Sequence, residues 1–111
     1  MSLGFFSVAS SSSGNSYILI NENVGIILDV GVSGKKIKEA LNKYEIPHEQ
    51  IKGILITHEH TDHVKSISVV SKTFSDAKIY CSKGTEEASS RICAIDNKRK
   101  QIVSAGDSFY I

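Results

Sequence analysis

Long apolar runs are missing from this chain. No stretch approaches the roughly 20 residues a membrane-spanning helix needs, and the N-terminus lacks the basic-then-apolar order of a signal peptide. A membrane partner is therefore not expected, and the cytoplasm is the default location. Cysteine is scarce. Cys81 and Cys93 stand twelve positions apart without C-x-x-C spacing, which argues against a disulfide framework and predicts two small buried hydrophobes in a reducing compartment. An excess of one charge is missing too: 13 Lys and Arg against 12 Asp and Glu leave a net charge of +1, whereas a dedicated nucleic-acid-binding domain usually carries a clear basic surplus. The one compact basic run, Lys98-Arg99-Lys100, reads first as a solvated loop or strand entry and second as a phosphate contact. What remains is a chain of 111 residues, 41% hydrophobic and 23% charged, enough for one globular domain with a modest core.

Histidine, by contrast, is concentrated. Three of the four histidines and an aspartate fall in T-H-E-H-T-D-H at 57–63, directly after the apolar run Ile54-Leu55-Ile56. In an extended segment residues two apart point to the same side, so His58 and His60 can reach one ion while Glu59 and Thr61 point away. If Asp62 and His63 open the next helix, the chain turns there and aims that pair at a second position. Imidazole and carboxylate together suit zinc, manganese or iron, and two such ions roughly 3.5–4 Å apart can activate a water between them. The fourth histidine, His48, follows Pro47 in a polar turn and is expected to be solvated rather than a ligand.

Along the chain, residues 3–9 read as a strand, 10–16 as a serine-rich turn and 17–20 as a second strand. Asn21-Glu22-Asn23 makes another turn before a third strand over 25–30, whose run Ile26-Ile27-Leu28 suggests burial on both faces. Ser33 is a candidate N-cap for a helix with Ile37, Ala40, Leu41 and Tyr44 on one face, stopped by Pro47. A buried strand over 53–57 delivers the histidine motif at its C-terminal end, where open α/β folds place their sites. Val64, Ile67, Val70 and Phe74 are spaced as one face of the helix that follows. The positive end of that helix favours a neutral His63, ready for metal. Residues 78–82 read as a strand, 85–93 as a short helix and 101–111 as a hairpin turning at Gly106-Asp107. This order predicts an α/β layered fold with a mixed sheet.

These residues resemble the metallo-β-lactamase superfamily of metal-dependent hydrolases. The resemblance rests on T-H-E-H-T-D-H at 57–63 with the preceding I-L-I, and on I-I-L-D-V-G at 26–31, similar to the superfamily's first motif. The opening V-A-S-S-S-S-G-N-S-Y at 8–17 resembles the start of the YycJ (WalJ) subgroup, for which a DNA nuclease is the expectation. The resemblance implies the N-terminal half of a four-layer αββα sandwich, an α/β (α+β) arrangement with helices on one face of a mixed sheet. It implies two divalent ions, zinc first: His58 and His60 would hold one, Asp62 and His63 the other. Asp62 would also orient the attacking water and act as general base, and Asp29 would brace the motif loop through hydrogen bonds. The Ser10 to Ser16 loop either borders the substrate cleft or is a simple turn.

The departures from the family pattern carry equal weight. The superfamily supplies further histidines and a bridging aspartate from its later half. This chain has no histidine after His63, and Asp76, Asp96 and Asp107 lack the matching context. Each ion would find two side chains where catalytic zinc takes three plus water, so metal is expected to bind weakly or not at all to residues 1–111 alone. The chain reads as a truncated domain of a larger hydrolase, inactive by itself, with an uncovered sheet face that a second copy could pair with. For the intact enzyme the expected reaction is phosphodiester hydrolysis of nucleic acid, with no Ser/His/Asp nucleophile because the clustered histidines are assigned to metal. The rivals are a thioester, lactone or β-lactam substrate, since the motif does not specify the bond cleaved, and a noncatalytic interaction module.

Overall fold

The apolar residues at the start of the chain pair into a hairpin whose strands reach further than the serine run suggested. The computed structural model describes residues 3–11, 13–104, 106–108 and 111. In it β1 (Gly4–Ser11) and β2 (Gly14–Ile20) are antiparallel, and Ser11 already faces Gly14. Most of the serine segment is thus strand rather than loop, because ladder pairing satisfies backbone groups that a long turn would leave to water. The next turn is built by Asn21, whose Oδ1 accepts the amides of Asn23 and Val24 at 2.8 Å each. It leads into β3 (Gly25–Leu28), antiparallel to β2.

From β3 onward the sheet is parallel, and each step needs a helical crossover. Helix α1 (Gly34–Lys43) connects β3 to β4 (Ile51–Leu55); α2 (Thr61–Val64) and α3 (Ile67–Thr73) connect β4 to β5 (Lys78–Cys81). Then α4 (Lys83–Ala88) and α5 (Ser90–Cys93) lead to β6 (Lys100–Ile102). The six strands lie in the order β1-β2-β3-β4-β5-β6, one mixed sheet.

Two expected helices are each broken by a serine. The helix after the motif divides at Ser66, which gives both its amide (2.9 Å) and its hydroxyl (3.0 Å) to the Val30 carbonyl instead of continuing the helical ladder. The helix expected over 85–93 divides at Ser89, whose hydroxyl caps Ile92. Ser33 caps α1 as expected, accepting from the Lys36 amide; Ile37 and Leu41 are buried, while Tyr44 ends the helix half-exposed against Phe6. A turn forms at 104–107 through the Ser104 and Asp107 backbones. Among the described residues no strand returns from it, and 105, 109 and 110 lie outside them.

Ile18, Ile27, Ile54 and Ile79 face one another across four strands, each fully buried beneath Ile37, Leu41, Val64, Ile67, Val70 and Phe74. On the other face Leu19, Ile26, Leu28 and Leu55 are only half-buried and Phe5 is 61% exposed. The expectation that 26–28 is covered on both sides is therefore corrected: helices shield Ile27, and nothing of comparable size covers its neighbours among the described residues. Ile111 touches this face at Gly53, where a Cβ would come within 2.9 Å of its Cδ1.

Three other expectations change. Cys81 is buried, and burial pushes its thiol pKa up, but Cys93 is exposed, with Sγ 2.9 Å from the Glu86 carbonyl. His48 is not simply solvated: its ring packs on Phe74 at 5.3 Å, and Nε2 is buried with no hydrogen-bond partner among the described residues. Arg99 and Lys100 are structural. Arg99 donates to the carbonyls of Ser71, Phe74 and Ala77, and Lys100 pairs with Glu86 at 2.8 Å. No described helix is long and apolar enough to cross a membrane.

Two outcomes follow from this packing. Ile54→Ala, which opens a cavity at the centre of the isoleucine row, lowers unfolding free energy by about 2–5 kcal/mol in urea titration. The hydrogen bond from Lys100 holds the Glu86 carboxyl below its usual pKa. That stabilisation is present above the unfolded value of about 4.3 and is lost as pH falls through the lower folded value. Glu86→Gln therefore lowers Tm at pH 7, and the gap to wild type closes in scans taken at progressively more acidic pH.

Candidate metal centre

Strand β4 runs under the helices and releases the chain at the C-terminal edge of the parallel strands, where Ile56 makes a last ladder bond to the Tyr80 carbonyl (2.9 Å). Beside it β3 ends at Asp29, a buried residue with φ of 61°. This left-handed conformation costs a non-glycine residue about 1 kcal/mol or more, and neighbours that over-determine it hold it in place. Here the Asp29 amide donates to the Leu55 carbonyl at 2.7 Å. Its carboxylate, an acceptor only, takes the Thr57 amide (2.8 Å), the Thr57 hydroxyl (2.6 Å) and Nδ1 of His63 (2.7 Å).

That network sets the histidine tautomers. His63 must carry its proton on Nδ1 to donate to Asp29, which leaves the Nε2 lone pair free. The Thr57 hydroxyl spends its proton on Asp29, so toward Nδ1 of His58, 3.0 Å away, it can only accept. His58 is thereby also protonated on Nδ1, with Nε2 free. The rings of His58 and His63 lie 4.8 Å apart between centroids, and those of His58 and His60 stack at 6.0 Å. His60, at the N-cap of α2, makes no side-chain capping bond. Nε2 of His63 stands 3.6 Å from Oδ2 of Asp62. Two donors bound tetrahedrally to one zinc at about 2.0–2.2 Å are separated by about 3.4 Å, so this pair is spaced to share an ion.

Asp62 is positioned by the opening hairpin. The side-chain amide of Asn15 donates to the Asp62 carboxylate (3.2 Å), to its carbonyl (3.3 Å) and to the Ser11 carbonyl (2.9 Å), while the Asn15 carbonyl accepts the Gly31 amide (2.8 Å). Gly31 is wedged between the two: a Cβ there would lie 1.7 Å from the Asp62 carbonyl oxygen. Val30 completes the seam, donating to the His63 carbonyl at 2.8 Å. The 10–16 segment, open between a cleft border and a simple turn, thus reaches the site through Asn15, a contact without local signal because its partner is 47 positions away.

All five residues expected at the site thus meet at one strand exit: His58, His60, Asp62 and His63 around the opening, with Asp29 behind them. Among the described residues no three His, Cys, Asp or Glu side chains close into a complete cage. The later aspartates are engaged elsewhere, Asp76 with Lys52, Asp96 with the Lys98 amide and Asp107 with Ser104. The His63 Nε2–Asp62 Oδ2 separation suits a shared divalent ion, while the His58 and His60 rings lie 6.0 Å apart between centroids.

Asp29→Asn replaces an acceptor by a group that must also donate among three donors. It should destabilise the fold by about 1–3 kcal/mol for each donor left unpaired. Nitrogen-15 NMR of the imidazoles should show His63 losing its fixed Nδ1–H form.

Residues 11–108 match the Metallo-beta-lactamase superfamily. The chain is 32% identical over 108 residues to Exodeoxyribonuclease YycJ of Bacillus anthracis and 34% identical over 102 residues to Exodeoxyribonuclease WalJ of Streptococcus pneumoniae. These alignments cover 96% and 89% of this chain but only 40% and 38% of those relatives. Among solved structures, the subclass B3 metallo-beta-lactamase MEM-A1, from a soil metagenome library, superposes with a TM-score of 0.76 at 18% identity, covering 96% of this chain and 46% of that one. A second B3 enzyme, with an active-site glutamic acid, gives 0.79 at 16% identity, covering 96% and 45%. At these identities the structures show a shared fold. The family match, the curated relatives and the strand-exit histidine motif agree, and the chain belongs to the metallo-β-lactamase superfamily of hydrolases.

Proposed function

We propose that residues 1–111 contribute metal ligands to a two-metal phosphodiesterase that cleaves DNA. The observation that carries this reading is the Asp29 network, which holds Thr57 and His63 directly and His58 through Thr57, with Nε2 of His63 3.6 Å from the Asp62 carboxylate. His58 and His60 are assigned to one divalent ion and Asp62 and His63 to another, with zinc preferred and manganese or iron compatible with the same donors. Divalent ions held there would supply an activated water and neutralise charge on the phosphoryl oxygens. Asp62, held by Asn15, would orient that water and take its proton, while Asp29 fixes the His63 ring through Nδ1. DNA is favoured as substrate because the curated relatives are named exodeoxyribonucleases. A cytoplasmic site of action accords with that substrate and with two free thiols.

Two donors per ion imply weak metal binding and little hydrolysis by this chain alone. The same shortage favours a second reading, a noncatalytic module. The half-exposed apolar face around Phe5, Leu19 and Leu55 suits pairing with a second copy, which predicts a dimeric mass by sedimentation at micromolar concentration; a monomer there removes the pairing.

Zinc titration of the 111-residue chain by calorimetry should give weak binding that His60→Ala weakens further, by about tenfold or more. In the longer protein, His60→Ala should abolish DNA hydrolysis in zinc and manganese buffers. Full activity in that variant overturns the nuclease reading, and loss of zinc binding without any hydrolysis by the unmodified protein favours the module.

A further inference from the structure

Two clefts of about 350 and 400 Å³ share Lys65; the first lies between the β1–β2 hairpin and the start of α1, the second among α3, α5 and the residues after it. Ser11, Ser13, Ser33 and Lys36 line the first together with Lys65. Beyond Lys65, the second is lined by Lys72, Arg91 and Arg99. No carboxylate lines the first among the described residues. The second has only Asp96, whose Oδ1 is occupied by the Lys98 amide at 2.9 Å.

The chain's ion pairs form elsewhere, as Lys52 with Asp76, Lys83 with Glu87 and Lys100 with Glu86. Lys36, Lys65, Lys72 and Arg91 are exposed and have no carboxylate within ion-pair distance among the described residues. Lys36, Lys65, Lys72 and Arg91 thus give these two clefts, which have Lys65 in common, a positive lining that an anion running between the side chains would neutralise. Arg99 is not part of the set, since its guanidinium is committed to three backbone carbonyls.

The first cleft also abuts the candidate metal centre. Its wall includes Gly31, which is in backbone contact with Asp62, and Lys65 follows His63 by two positions. Ammonium groups set among serine hydroxyls in a concave wall match phosphodiester oxygens, which accept from both and carry no sequence information.

We propose that Lys36, Lys65, Lys72 and Arg91 form a phosphate-binding track that holds the backbone of a nucleic-acid strand and feeds it toward the histidine motif. The track rests on the reading that nucleic acid is the substrate, but it acts without metal and can be tested without catalysis.

The test is fluorescence anisotropy of a labelled phosphorothioate oligonucleotide with the 111-residue chain in chelator, between about 50 and 200 mM salt. Each lysine that neutralises a phosphate contributes about 0.7 (single strand) to 0.9 (duplex) to the slope of log affinity against log salt. The triple substitution Lys36→Gln, Lys65→Gln and Lys72→Gln should therefore reduce the slope by about 2–3 and weaken binding at low salt. Lys78→Gln should leave it unchanged, because Lys78 opens β5 at the far end of the parallel strands from the motif. Circular dichroism checks that each variant is folded, and Arg91→Gln provides an independent single substitution. An unaltered slope in the triple variant, an equal loss in Lys78→Gln, or no binding by the unmodified chain at the lowest salt overturns the track. Failure of hydrolysis in the longer protein would instead count against the catalytic reading and leave the slope difference standing.

Discussion

The carboxylate of Asp29 is the point on which the strand exit depends. It lies at the end of β3 in a left-handed backbone conformation, buried, and accepts from Thr57 twice and from His63 once. A buried carboxylate is costly unless its oxygens are satisfied, so the residues that stabilise it are pinned in turn. Thr57 is held at the start of the motif and His63 near its end. The histidines between them are confined to a short bridge over the sheet edge. Hydrogen bonds thus hold both ends of a segment that would otherwise be a polar loop.

A second set of contacts ties this bridge to the rest of the molecule. Asn15 grips Asp62 from the β1–β2 hairpin, Gly31 allows the two backbones to approach, and Ser66 leaves its helix to bond Val30. Broken helices and close glycine contacts are thus concentrated at the candidate site, while the isoleucine row beneath it is regular. The division is physically sensible: apolar packing is non-directional and supplies bulk stability, whereas placing donor atoms to within a few tenths of an ångström requires directional hydrogen bonds.

The two surfaces of the sheet differ in the same spirit. One is closed by helices and buries its isoleucines completely. The other remains half-covered, and the alignments place this chain opposite only 38–40% of the length of its curated relatives. Lys65 lines two clefts, one beside the β1–β2 hairpin with Lys36 and one among α3 and α5 with Lys72 and Arg91. The described residues therefore set a cluster of imidazoles and carboxylates at the strand exit and apolar side chains on one sheet face.

Much of this was legible in order along the chain. The donors could be read because His58, His60, Asp62 and His63 lie within a few residues, so local geometry alone brings them together, and the α1 cap and the apolar spacing of 64–74 are equally local signals. Asn15 and Asp62, Val30 and Ser66, or Asp29 and His63 have no such signal, being joined only when β2, β3 and β4 are laid side by side. The clustering of His58, His60, Asp62 and His63, the alternation of strands and helices and most of the helix-facing core could be read in chain order, because propensity and periodicity act over one or two turns of chain. The breaks in the helices, the half-open Ile26 and Leu28, the engagement of Arg99 with carbonyls and the meeting of Lys36 and Lys65 in one cleft could not, because each depends on hydrogen bonds and clearances between segments that the chain order keeps far apart.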